Sequence, residues 1–259
     1  IVPRVIGNNL YEAPHYQSGA FQLNWSATWS FRMAGRTAQD IDIYNWEKVF
    51  ATLPLKNLPE ESGKDIFFWD EWIKHPDYDD YWKALANDER YDDIGIPVLQ
   101  IGGWYDFFTA GTFHNFVGMR EGGGSRLARD NQRAIVGPWI HSASTLTRAG
   151  EVDFGRGSVL DLEQHELRWF DHWLKGIDNG AEADRPLNIF IMGINQWRDE
   201  NEWPLARTQF TPYYLHSDGQ ANSLLGDGVL SMDVPDKEPS DEYVYNPAFP
   251  TPTKGGCNC

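Results

Sequence analysis

Two short apolar segments, each followed by a glycine-containing turn, constrain the fold of this 259-residue chain more than any other feature. Residues 96–101 are rich in branched apolar side chains and carry their proline near the start, where a strand tolerates one. Residues 133–136 repeat the apolar pattern, and residues 109–120 between them have apolar side chains at helical spacing. The segment therefore predicts two buried parallel strands joined by a right-handed helical crossover.

Each predicted strand is followed by a residue that can take part in acid–base chemistry. Asp106 ends the turn Gly102-Gly103-Trp104-Tyr105-Asp106, and His141 ends the turn Gly137-Pro138-Trp139-Ile140-His141. Both turns lie at the carboxyl edge of the predicted sheet, where open α/β sheets place their ligands, so the pair supplies two members of a hydrolytic triad. On the motifs alone two other roles stay open: Asp106 as a cap of the following helix and His141 as a structural loop residue.

These two turns, the second extended by Ser142, resemble the acid and base motifs of the CocE/NonD hydrolases. That family includes cocaine-esterase-like acyl esterases, α-amino acid ester hydrolases, glutaryl acylases and X-Pro dipeptidyl-peptidases. A third stretch, residues 190–205, resembles the entry into the C-terminal jelly roll of that family. The three motifs occur in the order of the family, and the resemblance covers most of the chain.

The resemblance implies an α/β class of fold with four parts. Residues 1–10 form a core strand, residues 11–90 a helical cap, residues 91–183 the part of the α/β-hydrolase core that carries the catalytic Asp and His, and residues 184–259 the beginning of a truncated jelly roll. Strands are expected at residues 187–192, 210–216 and 242–245. An amphipathic helix is expected to begin near Leu160 and to end at Gly176 or Gly180.

The chain lacks the nucleophile that the family requires. In the family this residue is a serine in a Gly-x-Ser-Tyr-x-Gly turn, and it precedes the segment with which this chain begins. No Gly-x-Ser-x-Gly sequence occurs in the 259 residues. The chain is therefore expected to be either a fragment whose serine lies upstream, inactive by itself, or a chain that has lost its serine and acts as a non-catalytic binding protein.

The expected cap is rich in aromatic residues, which have two uses. Each can pack the cap against the core, or a few can line a pocket for an acyl or leaving group. His15, Trp25 and Trp29 match the start of the cap in the family, and Phe108 follows Asp106 by two residues, so these four are the expected substrate-binding residues. Phe107 and Phe108 make the turn after Asp106 apolar, which favours an uncharged acyl group.

Composition excludes several classes of partner. The 41% hydrophobic and 14% aromatic content is that of a globular protein, and the net charge of −16 argues against nucleic acid and anionic membranes as partners. No His or Cys spacing indicates a metal site, and Cys257 and Cys259 are expected to be free thiols. The first residues do not form a signal peptide; the compartment stays open, with the cytoplasm favoured, and so does a homo-oligomeric assembly.

The resemblance implies a serine hydrolase that cleaves carboxylic ester or amide bonds of a small molecule through an acyl-serine intermediate. No metal or cofactor is expected, because this chemistry needs neither. Within the family, X-Pro dipeptidyl-peptidase, α-amino acid ester hydrolase and glutaryl or β-lactam acylase activities are alternatives.

Overall fold

The computed structural model describes residues 1–141 and 146–250, which form two compact units. Unit 1 is Ile1–Trp203 and unit 2 is Pro204–Thr253. The expected boundary between residues 183 and 184 therefore differs from the boundary between these units. Ser142, Cys257 and Cys259 lie outside the described residues.

Residues 11–90, for which a helical cap is expected, contain a series of helices and are called the cap below. A π-helical turn at Tyr11–His15 leads into the hairpin of β1 (Tyr16–Gln17) and β2 (Ala20–Phe21). Five helices follow: α1 (Leu23–Met33), α2 (Trp46–Phe50), α3 (Leu58–Glu61), α4 (Phe67–Lys74) and α5 (Asp80–Lys83). Short 3₁₀ turns occur at Leu55–Asn57 and Tyr91–Asp93.

The cap has an aromatic core of its own. Trp69, Trp82 and Phe31 are fully buried there, and each indole donates from Nε1 to a backbone carbonyl: Trp69 to Leu55 (2.9 Å) and Trp82 to His75 (2.7 Å). The two indole rings thus bury their apolar faces and also hydrogen-bond their N–H groups. Truncating one of them would cost about 3–5 kcal/mol.

The core of unit 1 is a four-stranded sheet in the order β3 (Val98–Gly103), β4 (Gln132–Gly137), β7 (Leu187–Ile191) and β8 (Gln196–Glu200). The first three strands are parallel, and β8 is antiparallel to β7. The first residues of the chain run beside β3, with Leu99 donating to the carbonyl of Ile1 (3.1 Å) and Val5 to that of Ile101 (2.7 Å). The predicted β-α-β unit is present. Residues 1–10, for which a core strand is expected, form no strand and pair with β3 only through an isolated parallel bridge between Arg4 and Ile101 and the neighbouring backbone hydrogen bonds.

Helices α6 (Thr109–Gly122) and α7 (Arg126–Asp130) connect β3 to β4. The hairpin of β5 (Arg148–Ala149) and β6 (Val152–Asp153) follows, and then α8 (Leu162–Lys175). Helix α8 begins at the side chain of Asp161, which accepts from Gln164 N (3.1 Å), and ends at Gly176 with φ of 69°. A left-handed glycine is a frequent helix terminator, so the first of the two expected ends is the observed one. The α7 helix was not predicted, because its glycine-rich approach indicated a loop.

The strand expected at residues 187–192 was assigned to the jelly roll, but in the structure its residues form β7 of the core sheet. Leu187, Ile189 and Phe190 are buried there, and β7 pairs with β4 through Ala134↔Leu187, Ile135↔Asn188 and Val136↔Ile189. An apolar strand with several buried residues needs packing partners on both of its faces, and a position within the core sheet of unit 1 provides them. The polar strand β8 pairs with β7 at the edge of the sheet, and its residues lack the apolar alternation that predicts a strand.

Unit 2 contains one pair of antiparallel strands, β9 (Tyr214–His216) and β10 (Val229–Ser231). β9 is shorter than the expected strand at residues 210–216, and residues 242–245 form no strand in the described part of the chain. Tyr243, Val244 and Tyr245 are exposed, so a partner strand that would bury them is absent from the described residues. The jelly roll stays a prediction.

No helix in the described ranges has the length and apolar character needed to cross a membrane. Residues 1–141 and 146–250 also contain no group of three His, Cys, Asp or Glu side chains that could hold a metal ion.

Candidate active site

The turns after β3 and β4 are hydrogen-bonded to each other. The strands run in register, with Gly103 opposite Gly137. Beyond them, Trp104 N donates to the carbonyl of Gly137 (2.8 Å), and Tyr105 N donates to that of Trp139 (3.0 Å). The parallel pairing therefore continues as irregular backbone contacts, which bring residues 106 and 141 to the same point at the carboxyl edge of the sheet.

Two glycines allow this close approach. A Cβ atom on Gly103 would lie 2.3 Å from the carbonyl oxygen of Trp139, and one on Gly137 would lie 2.3 Å from the indole ring of Trp139. Neither contact can be relieved by rotating a flexible side-chain tip. Gly103 is thus required where the turn after β3 packs on the turn after β4, whereas Gly137 is required by the position of the Trp139 ring within its own turn.

Asp106 and His141 form a close pair of unequal burial. Oδ2 of Asp106 lies 2.7 Å from Nδ1 of His141, and the side chain of Asp106 is 1% exposed whereas that of His141 is 32% exposed. The other carboxylate oxygen, Oδ1, accepts from Phe108 N (2.6 Å). An ionised carboxylate can only accept hydrogen bonds, so neutral His141 carries its proton on Nδ1 and leaves Nε2 as a proton acceptor.

The capping role considered for Asp106 has little support in this geometry. The N-cap residue of α6 is Phe108, and no side-chain oxygen caps that helix. The carboxylate of Asp106 instead fixes the turn before the helix and the orientation of the His141 ring.

Two aromatic rings lie against the imidazole ring of His141. The Phe107 ring stacks on His141 with centroids 5.1 Å apart and planes 12° apart, and the Phe108 ring lies at 5.7 Å. Phe107 also meets the edge of Trp25 in the cap at 5.3 Å, and Trp25 stacks on Trp29 at 5.7 Å. The cap and the Asp–His pair are therefore joined through Phe107, which the substrate-binding expectation did not include.

The four expected substrate-binding residues occupy different positions. Trp25 and Trp29 are partly exposed and lie on the side of the cap nearest to His141. Phe108 is largely buried against Gly7, where a Cβ atom would approach Phe108 Cδ1 to 2.9 Å. Trp25 and Trp29 are thus the two with the most accessible surface for a ligand.

His15 lies behind these rings and does not line the accessible surface, contrary to our expectation. It is 3% exposed, its Nδ1 is 3.0 Å from Ser26 Oγ, and its ring lies 3.8 Å from that of Trp72 and 5.6 Å from that of Trp25. Burial lowers the pKa of His15 to about 3, so the ring is neutral at physiological pH. The buried, neutral imidazole packs against the rings of Trp25 and Trp72 and has a structural role.

No serine hydroxyl among residues 1–141 and 146–250 is hydrogen-bonded to His141. Nε2 of His141 instead faces away from Asp106. The described site thus supplies a proton acceptor and its orienting carboxylate.

A parallel sheet with an Asp and a His at adjacent strand ends, in that chain order, and a helical cap beside them define an α/β hydrolase. Residues 1–143 match the family model of the X-Pro dipeptidyl-peptidase (S15 family), and residues 179–254 match that of the X-Pro dipeptidyl-peptidase C-terminal non-catalytic domain. The chain belongs to this S15 family of X-Pro dipeptidyl-peptidases.

Individual relatives agree with this placement. A cocaine esterase of Rhodococcus sp. (strain MB1 Bresler) is 31% identical over 277 residues, which cover 99% of this chain and 47% of the relative. Two solved structures share the fold. An aminopeptidase from a marine sediment Thaumarchaeota archaeon matches with a TM-score of 0.70 and 21% identity, over 97% of this chain and 41% of that one. An α-amino acid ester hydrolase matches with a TM-score of 0.69 and 22% identity, over 97% of this chain and 42% of that one. The resemblance to CocE/NonD hydrolases and the α/β-hydrolase fold with a C-terminal domain are confirmed.

The chain spans about half of the cocaine esterase that it matches, and less of the two solved structures. The activity of the whole protein is therefore treated below as a proposal.

Proposed function

We propose that this chain supplies the base and the orienting acid of a serine hydrolase that cleaves carboxylic ester or amide bonds. The observation that carries the proposal is the 2.7 Å contact between buried Asp106 and partly exposed His141 at the ends of two parallel strands. A buried carboxylate that accepts from Nδ1 of an accessible imidazole is the arrangement that general-base catalysis requires.

In the proposed mechanism, Nε2 of His141 removes the proton of a serine hydroxyl while the serine oxygen attacks the substrate carbonyl. The imidazolium that forms is stabilised by Asp106, and it returns the proton to the leaving alcohol or amine as the carbonyl–heteroatom bond breaks. Water then repeats the sequence on the acyl-serine: His141 takes a proton from water, the hydroxide adds to the carbonyl, and the serine leaves with the proton. Each turnover consumes one water and regenerates neutral His141.

The nucleophile of this proposal is a serine in a polypeptide segment upstream of Ile1. Two observations support it: the 259 residues contain no Gly-x-Ser-x-Gly sequence, and the match covers only 47% of the length of the cocaine esterase relative. In α/β hydrolases the order along the chain is serine, acid, histidine, which matches Asp106 followed by His141.

The substrate surface favours an uncharged group next to the scissile bond. Phe107 and Phe108 flank His141, and Trp25 extends the apolar surface into the cap. A substrate ammonium in this position would need a carboxylate partner, and the carboxylate of Asp106 is already bound to His141. We therefore propose a small-molecule ester or amide with an apolar acyl group as substrate.

The second candidate is X-Pro dipeptidyl-peptidase activity, favoured by the family model that matches residues 1–143. α-Amino acid ester hydrolysis and glutaryl or β-lactam acylase activity are related alternatives. Comparing the rates at which the same preparation hydrolyses p-nitrophenyl esters and X-Pro anilides distinguishes the first candidate from the second. Nucleic acid and membranes have no place in the proposal because of the net charge of −16, and a homo-oligomer is compatible with it.

The proposal is tested on the native polypeptide that contains this sequence by labelling with a fluorophosphonate, which reacts only with activated serines. We expect one labelled serine, with labelling and ester hydrolysis both lost in His141→Ala. The matched control is His114→Ala, because His114 is an exposed histidine on α6, and it should label like the wild type. A protein that shows no labelled serine would support the alternative of a non-catalytic binding protein.

A further inference from the structure

A row of ring contacts continues from the Asp–His pair to the far side of the cap. It runs from His141 through Phe107 and Trp25 to Trp29, as described above. Trp29 then contacts Phe68 edge-on at 6.1 Å, and Phe68 contacts Phe67 at 5.2 Å. Both phenylalanines are at the start of α4, so two cap helices and the Asp106 turn contribute to one unbroken aromatic row.

The distal part of this row is accessible. Trp29 is 39% exposed and Phe67 is 84% exposed, whereas Trp69, Trp72 and Trp82 are buried in the core of the cap. The indole N–H groups of Trp25 and Trp29 also have no hydrogen-bond acceptor in the part of the chain that the structure describes. Exposed aromatic rings with free N–H donors beside them can bind a ring system that carries a carbonyl.

The row is held rigidly from below. Trp72 is buried beneath it and contacts both Trp29 (6.0 Å) and Phe68 (4.9 Å), and the ring of His15 lies against Trp72. The backbone carbonyl of Trp72 accepts from the hydroxyl of Tyr16 (2.9 Å), which fixes this layer to the β1–β2 hairpin. Rings that are already ordered lose little conformational entropy when a ligand stacks on them, which makes the surface suited to binding.

We infer that Trp29, Phe68 and Phe67 form a distal subsite, which binds an aromatic ring at the end of an elongated, uncharged ester or amide substrate. The inference rests on the proposed function, because the continuity of the row with His141 is what identifies its ligand as substrate. The reacting carbonyl lies at His141, the connecting part of the substrate follows Phe107 and Trp25, and the terminal ring stacks at the distal subsite.

The test uses two series of esters and the native polypeptide. One series consists of p-nitrophenyl ω-phenylalkanoates, and the other of acetate esters of ω-phenylalkanols, each with spacers of increasing length. We expect kcat/KM to rise in one series once the spacer lets the phenyl ring reach the distal subsite. Replacing phenyl by cyclohexyl at the same spacer length tests whether the gain depends on an aromatic ring.

Phe68→Ala and Phe67→Ala should abolish this gain, with a decrease in kcat/KM of about twofold to tenfold for the long aryl ester and none for p-nitrophenyl acetate. Phe68→Leu keeps apolar volume and serves as the conservative variant, which should restore part of the gain. Two matched controls, Phe50→Ala for Phe68 and Leu53→Ala for Phe67, change residues of similar exposure elsewhere in the cap and should leave the preference unchanged.

The outcomes separate this inference from the proposed function. A protein that labels with fluorophosphonate but shows no spacer-dependent gain, or a gain that survives Phe68→Ala, overturns the distal subsite alone. A protein that does not label at all overturns the serine hydrolase and the subsite together.

Discussion

The backbone N–H of Tyr105 donates to the carbonyl oxygen of Trp139 across 3.0 Å, so the residue before Asp106 is fixed to a residue two positions before His141. The two site residues come from different strands, and this contact sets their separation. Side-chain chemistry at the site therefore depends on how closely the two turns can pack.

Gly103→Ala is expected to separate the turns. The added Cβ would meet the carbonyl of Trp139 at 2.3 Å, so the backbone must move, at a cost of about 1–3 kcal/mol in stability. The thermal melting temperature and ester hydrolysis should both fall. Gly157→Ala is the control, because a Cβ there has no neighbour within 4 Å and the residue lacks a positive φ; equal effects of the two variants would contradict the explanation.

Asp106→Asn is expected to reduce kcat by roughly a thousandfold or more. The amide group can donate to Nδ1 of His141, which favours the tautomer with its proton on Nε2 and removes the proton acceptor. Steady-state kinetics measure the loss, and thermal melting checks that the fold is retained. Asp153→Asn changes an exposed aspartate and should have little effect on kcat. Activity of Asp106→Asn within tenfold of the wild type would exclude the proposed role.

Phe107→Leu is expected to lower kcat/KM by about twofold to tenfold with little change in stability. The substitution keeps an apolar side chain but removes the ring that stacks on His141 at 5.1 Å and meets Trp25 at 5.3 Å. Kinetics with a short and a long ester locate the effect: a loss for both indicates a role at His141, whereas a loss confined to the long ester indicates a role in the cap alone. An unchanged kcat/KM for both would contradict the prediction.

The stability of the cap is expected to depend on the protonation of His15. Burial lowers the pKa of His15 from its ordinary value of 6.5 to about 3 in the folded state. Between pH 6.5 and pH 3 this histidine is therefore protonated in the unfolded chain but neutral in the folded chain. The stabilisation is complete above pH 6.5 and decreases as the pH falls from 6.5 towards 3. His15→Asn can keep the hydrogen bond to Ser26 without titrating, so its melting temperature should fall less between pH 7 and pH 4.

The matched control for His15→Asn is His114→Asn, which changes an exposed histidine and should melt with the pH dependence of the wild type. If His15→Asn retained the full decrease in melting temperature between pH 7 and pH 4, another buried group would have to account for it.

The β-α-β unit and the positions of Asp106 and His141 could be predicted because they depend on local patterns. Apolar runs define the strands, and parallel strands with one crossover bring their carboxyl ends to the same edge. The site residues remain a prediction as catalytic groups. The contact between them could not be read from the sequence, because it depends on the backbone bonds between the turns and on the volume of Trp139.

Two predictions were wrong because the local sequence pattern does not determine which part of the protein a residue packs against. The apolar pattern of residues 187–192 is compatible both with a jelly roll and with an inner strand of an α/β sheet, so only the pairing with β4 decides the assignment. His15 was expected to line a pocket together with Trp25 and Trp29, but the turn of Tyr11–His15 directs it towards Ser26 and Trp72. Burial of a single histidine is not encoded by its neighbours alone.

The membership of β7 and β8 in the core sheet determines where this protein can be cut and recombined. The C-terminal family model begins at residue 179, ahead of both strands, whereas the compact unit ends at Trp203. A chimera joined at residue 183 would exchange the two outer strands of the sheet along with the C-terminal domain and would bring foreign side chains against β4. A junction after Trp203 would leave the sheet intact, so grafting experiments within the family should place it there.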